Sequence, residues 1–187
     1  MKVICGLGNP GPEYDPTRHN VGWWFVDRLS ADWGIGPFDR SGPALVAGGP
    51  VGEHQALLLK PVTYMNRSGA ALAPLLGDPE LDIARDLLVV VDDVALEPGR
   101  ARLRPSGTPG GHNGLKSVEA ALGTPDYSRL RIGVGAPPAG RGLVEWVLSP
   151  LEPEDEDLVL GLFPDLVAGV RVWMDEGVEA AMGRTNR

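Results

Sequence analysis

Two rhythms of hydrophobic and polar positions run along the chain and divide it into strands and helices. Lys2-Val3-Ile4-Cys5-Gly6-Leu7 is a short apolar run of the kind a buried strand presents. Trp23, Trp24, Val26, Leu29 and Trp33 recur at roughly helical spacing with polar residues between them, which predicts a helix over 21–33. Residues 44–48 and 55–59 predict neighbouring strands joined by a turn at Gly49-Pro50-Val51-Gly52. Ala70, Leu72, Leu75 and Leu76 return to helical spacing, with Asn66 or Ser68 as cap and Gly77 as terminator. Residues 87–91 are too uniformly apolar for a half-exposed strand and predict a central one. Arg100-Ala101-Arg102-Leu103-Arg104 alternates, as an edge or one-face strand does. A Gly/Ser/Pro loop over 105–111, a helix over 113–122 and a strand over 129–134 follow. Two helices are expected beyond Pro150, over 152–163 and 164–182; the first opens on the acids a helix N-terminus favours. Strands alternating with helices predict an α/β fold, a single domain over residues 1–187 with a twisted mixed β-sheet flanked by helices.

Composition narrows the setting. A chain of 187 residues with 43% apolar positions can bury one good core. No apolar stretch approaches the roughly 18–20 residues that cross a bilayer, and the N-terminus meets glycine and proline too soon for a signal peptide. The single cysteine, Cys5, cannot form an internal disulfide, so a reducing cytoplasm is expected, with Cys5 as a small buried hydrophobe. A net charge of -8 argues against a nucleic-acid partner until its distribution is considered. Residues 98–144 carry Arg100, Arg102, Arg104, Lys116, Arg129, Arg131 and Arg141 against only Glu119 and Asp126. A basic zone in an acidic protein is what a localised phosphate-binding face requires, although a solvated strand pair would give the same count.

The histidines and asparagines fall largely in short turn-rich segments. Gly6-Leu7-Gly8-Asn9-Pro10-Gly11 satisfies the G-x-G-x-x-G dinucleotide fingerprint, but Pro10, Pro12 and Pro16 crowd the place where its helix would begin. Asp27 and Asp32 lie in the amphipathic segment instead of ending a second strand. The expectation is a rigid turn that projects Asn9. His19 precedes the tryptophan-rich helix, and Asp92 ends the most apolar strand, where α/β sheets gather ligands. A carboxylate paired to one imidazole nitrogen fixes the tautomer and leaves the other nitrogen as a base. With no G-x-S-x-G elbow, such a base would activate water. The three histidines show no metal-ligand spacing, so no metal is expected. His54 is read as a surface strand residue, and His112, in its glycine loop, as structural or secondary.

The segments G-L-G-N-P-G-x-x-Y ending at Tyr14, T-R-H-N-x-G from Thr17, K-P-x-T-Y-M-N-x-S-G from Lys60, the acid at Asp92, G-G-H-N-G-L-K-S from Gly110 and R-L-R-I-G-V-G from Arg129 together resemble the bacterial peptidyl-tRNA hydrolase family, over essentially the whole chain. The resemblance implies cleavage of the ester between a peptide and its tRNA 3′ end by a cytoplasmic monomer with no cofactor. It implies His19 as general base, Asp92 as its partner and Asn9 as the group that tells a blocked nitrogen from a free amine. Asn66 and Asn113 are implied to hold substrate and water, with Tyr14 and Tyr64 lining the site for the tRNA 3′ end. Arg102 and Arg104, where lysines are common in relatives, are expected to meet acceptor-side phosphates. Ala136-Pro137-Pro138-Ala139-Gly140-Arg141 matches poorly, which leaves Arg141 without a firm role, and the loop before His112 is less glycine-rich than in many relatives. The rivals are a catalytically inactive RNA-binding relative and a nucleotide-dependent oxidoreductase; the prolines argue against the second.

Overall fold

A computed structural model describes residues 1–186. Its elements in chain order are β1 (Lys2–Gly6), α1 (Val21–Trp33), β2 (Asp39–Ser41), β3 (Ala44–Val51), β4 (His54–Pro61), α2 (Ile83–Asp86), β5 (Leu87–Asp93), β6 (Ala101–Arg104), α3 (Asn113–Leu122), β7 (Ser128–Gly133), α4 (Leu143–Val147), α5 (Pro153–Glu176) and α6 (Val178–Thr185). Short 3-10 helices occupy Arg18–Asn20, Met65–Ala71 and Ala73–Leu75. The strands form one seven-stranded sheet in the order β2-β3-β4-β1-β5-β7-β6. Its centre, β4-β1-β5-β7, is parallel, while β2, β3 and β6 pair antiparallel at the two sides. The mixed α/β architecture read from the sequence is therefore present. No described helix is long and apolar enough to cross a membrane.

The uniform apolarity of β1 and β5 follows from helices on both faces. Ile4, Leu88 and Val90 pack toward Phe25 and Val26 of α1 and Phe163 and Leu166 of α5. Val3, Cys5, Val89 and Val91 point the other way, toward Leu115 and Val118 of α3. Each fully buried aliphatic side chain contributes about 1.5–3 kcal/mol. Cys5 is fully buried, and burial pushes its thiol pKa up to about 12, so it packs and does not react. α1 ends where expected because Gly34 adopts a left-handed φ of 65° and turns its N–H back onto the last carbonyls.

Three boundaries differ from the sequence expectation. The β3–β4 reversal lies at Gly52-Glu53, beyond Pro50, which pairs with Gln55 inside the ladder. β2 covers β3 only over Ala44–Val46, so Pro50 sits where the other edge is open and its missing N–H removes no bond there. The expected helix after Asn66 is instead two 3-10 pieces. Gly69 lies so close to α3 that a Cβ would overlap the Ser117 carbonyl oxygen, and Gly69 N donates to Ser117 Oγ at 3.0 Å. Close docking there, with Pro74 following, outweighs α-helical propensity. Finally, α5 runs unbroken through Pro164 for 24 residues and stops before Gly177. A mid-helix proline costs about 3 kcal/mol, which burial of Leu162, Phe163, Leu166, Val170, Trp173 and Met174 readily offsets.

This topology also makes a crevice. The chain leaves β1 for α1 on one face and returns to β7 through α3 on the other. The carboxyl ends of the neighbouring strands β1 and β5 thus open between departing connections, where α/β proteins bind ligands.

Candidate active site

Asp92 stands at the carboxyl end of β5, only 3% exposed. Its Oδ1 receives Nδ1 of His19 at 2.8 Å and Nε2 of His112 at 2.7 Å. His112 caps α3: its Nδ1 accepts the backbone N–H groups of Gly114 at 3.1 Å and Leu115 at 3.3 Å. That bond fixes the tautomer, so Nε2 carries the hydrogen it gives to Asp92. His19 likewise donates from Nδ1, which leaves Nε2 as its unengaged nitrogen. Burial pushes the Asp92 carboxyl pKa up, but the imidazoles of His112 and His19 outweigh it and hold the group well below the usual carboxylate range. Asp92 is therefore an ionised double acceptor at neutral pH.

His19, Asp92 and His112 also place three possible ligand atoms within 4.8 Å of one another, a convergence that linear spacing could not reveal. A cation bound by all three would require His112 to surrender its Nε2 hydrogen while Nδ1 still serves two backbone donors. The donor set fits a hydrogen-bonded triad better than a metal centre.

Asn9 lies in the turn beyond β1, 6% exposed. Asn20 clamps its backbone with two bonds, Asn9 N to Asn20 Oδ1 at 2.9 Å and Asn20 Nδ2 to Asn9 O at 3.0 Å. Its side-chain Oδ1 accepts Met65 N at 2.7 Å. With Oδ1 occupied, Nδ2 is the end left to face the cleft as a donor. The glycine-proline turn thus leads into a 3-10 helix at Arg18–Asn20, not the phosphate-facing helix of a dinucleotide site.

A cleft of about 330 Å³ gathers Asn9, Tyr14, His19, Tyr64, Asn66, Asp92 and Asn113, every residue expected there from the non-basic motifs. Tyr14 and Tyr64 meet edge to face, 6.5 Å between centroids, with Tyr64 61% exposed. The cleft is also lined by Leu143, Val144, Val147 and Leu148, an apolar wall from α4 and its end. Gly114 is pressed against Met65 Sδ and Leu7, so α3 and the Met65–Ala71 turn bring Asn113 and Asn66 together.

Arg102 and Arg104 do not line the cleft. They lie on β6 opposite Arg131 and Arg129, which puts all four on one face of the sheet edge. Arg102 Nη1 and Arg104 Nη1 donate to the neighbouring carbonyls of Ala101 and Leu103, both at 3.4 Å, and the two arginines on β7 are tied to other segments. Arg129 is fully buried over the Tyr127 ring and donates to Thr108 O at 3.4 Å and Pro125 O at 2.6 Å. Arg131 reaches the cleft, donates to Thr108 O at 2.7 Å and lies 3.6 Å from Asp93. Together they fasten the loop that carries His112. Arg141 pairs with Glu145 at 3.2 Å, and His54 pairs with Asp175 at 2.9 Å outside the cleft.

Sequence reading missed the direct bond from His112 to Asp92, the clamp by Asn20 and the α4 wall. The first two had a signal, since each residue adjoins an expected site residue within its motif. The wall had none, because 143–148 carries no periodic pattern long enough to read.

An α/β sheet with a histidine–carboxylate pair at the ends of its central strands has the layout of an enzyme. The peptidyl-tRNA hydrolase family model matches residues 3–187. Peptidyl-tRNA hydrolases of Gemmatimonas aurantiaca and Symbiobacterium thermophilum are each 45% identical to the chain, over 100% of it and 100% of the first relative, and 99% of it and 98% of the second. The crystal structure of the Acinetobacter baumannii peptidyl-tRNA hydrolase superimposes with a TM-score of 0.92 at 34% identity, covering 100% of this chain and 94% of that one. The chain belongs to the peptidyl-tRNA hydrolase family.

Proposed function

We propose that this protein hydrolyses the ester between a peptide, or an N-blocked amino acid, and the 3′ end of tRNA, and so returns tRNA from prematurely released peptidyl-tRNA. It acts as a cytoplasmic monomer without a cofactor. The observation that carries the mechanism is the 2.8 Å bond from His19 Nδ1 to Asp92, which leaves Nε2 free beside a cleft lined by amides. Nε2 takes a proton from water as the oxygen bonds the acyl carbon; the tetrahedral oxyanion collapses, the carbon–ribose oxygen bond breaks, and the imidazolium returns the proton to the ribose oxygen. Asp92 stabilises the imidazolium between these steps. The general base supplies roughly 10²- to 10⁴-fold. Amide donors from Asn9, Asn66 and Asn113 supply a further oxyanion contribution, about 10²- to 10³-fold for each well-placed donor. Tyr14 and Tyr64 offer aromatic faces to the terminal adenine.

The rival reading, an inactive RNA-binding relative, would not need this set to remain assembled in one cleft. Asn9 Nδ2 suits a substrate whose nitrogen is acylated and uncharged over one bearing an ammonium group. N-acetylated aminoacyl-tRNA should therefore be cleaved on the order of 10²-fold faster than its free counterpart. Equal rates would remove peptidyl-tRNA as the preferred substrate.

The tRNA body is held through the basic edge. Arg102→Gln with Arg104→Gln should weaken tRNA binding and flatten the dependence of log K on log salt by roughly one unit per residue. Titration at several salt concentrations measures this, and an unaltered slope would place the phosphates elsewhere.

A further inference from the structure

Arg18, adjacent to the proposed base, has no part in the chemistry above, yet it is one of the largest fully buried side chains, 1% exposed. No carboxylate forms an ion pair with it among the described residues. Its guanidinium instead grips the end of α4. Nη1 lies 2.6 Å from Pro150 O, 2.7 Å from Ser149 Oγ and 3.2 Å from Ser149 O, and the guanidinium carbon stacks 3.4 Å from the Trp146 ring centroid. The backbone repeats the tie: Arg18 N donates to Ser149 O at 3.1 Å, and Thr17 bridges Pro150. Trp146 is fixed in turn through Nε1 to Gly135 O at 2.8 Å.

α4 has only five residues, far too few to persist by its own hydrogen bonding. Leu143 and Val144, which it turns into the cleft, are 49% and 67% exposed, so burial holds it weakly on that side. Its placement therefore rests on the buried Val147 and on Trp146 with the cation beneath it. A cation at a helix carboxyl end also bonds the last carbonyls and opposes the negative end of the dipole.

We propose that Arg18 is a positioning residue that sets the distance from His19 to the apolar α4 wall, and that the wall receives the side chain of the esterified amino acid. This rests on the peptidyl-tRNA reading of the cleft. Arg18→Lys keeps the charge but loses the planar guanidinium, which stacks on Trp146 and whose hydrogen bonds all leave from Nη1, while Nε and Nη2 have no partner among the described residues. KM for N-acetyl-phenylalanyl-tRNA should rise roughly tenfold, within what a desolvated cation–π contact contributes. kcat and its pH profile should hold, and KM for N-acetyl-glycyl-tRNA should change little. Trp146→Leu, at a half-buried site, loosens the same tie from its other end and should reproduce the pattern if the lysine variant fails to fold.

An equal KM rise for both substrates would indicate general loosening and overturn the proposal. So would a fall in kcat with a shifted pH profile, which would mean that Arg18 acts on His19. Unchanged KM for both substrates would overturn it as well. If His19 proves dispensable for hydrolysis, the functional reading itself fails, a result separable from all of these.

Discussion

Replacing His19 by alanine should lower kcat/KM toward N-acetylated aminoacyl-tRNA by about 10²- to 10⁴-fold, the span of the general base proposed for it. The fold should survive, because Asp92 keeps its second bond from His112 at 2.7 Å and the 3-10 turn is held by backbone ties. Residual hydrolysis would come from the amide donors and substrate positioning. His112 cannot take over as base while its Nδ1 caps α3 and its Nε2 hydrogen is committed to Asp92. Single-turnover hydrolysis, with thermal unfolding as a control, measures the effect. Near-normal turnover by a folded variant would mean that another group takes the proton.

Asp92→Asn should cost on the order of 10²-fold in turnover, less than the roughly 10⁴-fold loss of a serine-protease triad whose asparagine selects the wrong tautomer. The difference follows from geometry. Both histidines donate to one oxygen, Oδ1, so an asparagine that places its carbonyl there keeps both bonds and the His19 tautomer. What disappears is the negative charge that stabilises the imidazolium. The loss should therefore fall on kcat, with KM for the same substrate little changed. A kcat equal to that of the unaltered protein would dissolve the pairing.

How much of this could be read from the chain depends on the range over which each feature is encoded. β1, α1, β5, β6 and α3 were legible because each has its own period and stop: Gly34 and Gly123 end their helices in left-handed conformations, and β5 is apolar on both faces. α5 was misdivided at Pro164 because local propensity sees the missing N–H and not the core beneath Phe163 and Leu166. The segment after Asn66 was misjudged for a related reason, since α3 approaches it at Gly69 from some 50 residues away. The cleft residues were legible as motifs because polar side chains at glycine-rich turns seldom serve packing alone. Their arrangement was not. Nothing in the spacing of 19, 92 and 112 says that two imidazoles share one oxygen, or that Arg129 and Arg131, counted with the basic zone, are spent holding Thr108.

The contact at Gly69 reaches further than local packing. Asn66 lies on the turn that contains this glycine, and Asn113 begins the helix pressed against it. The gauge of the gap between the two amides is therefore set behind the cleft, where hydrogen stands in place of a methyl group. Alanine at 69 would remove no polar group, yet it would act as a shim, forcing apart the two backbones that carry Asn66 and Asn113.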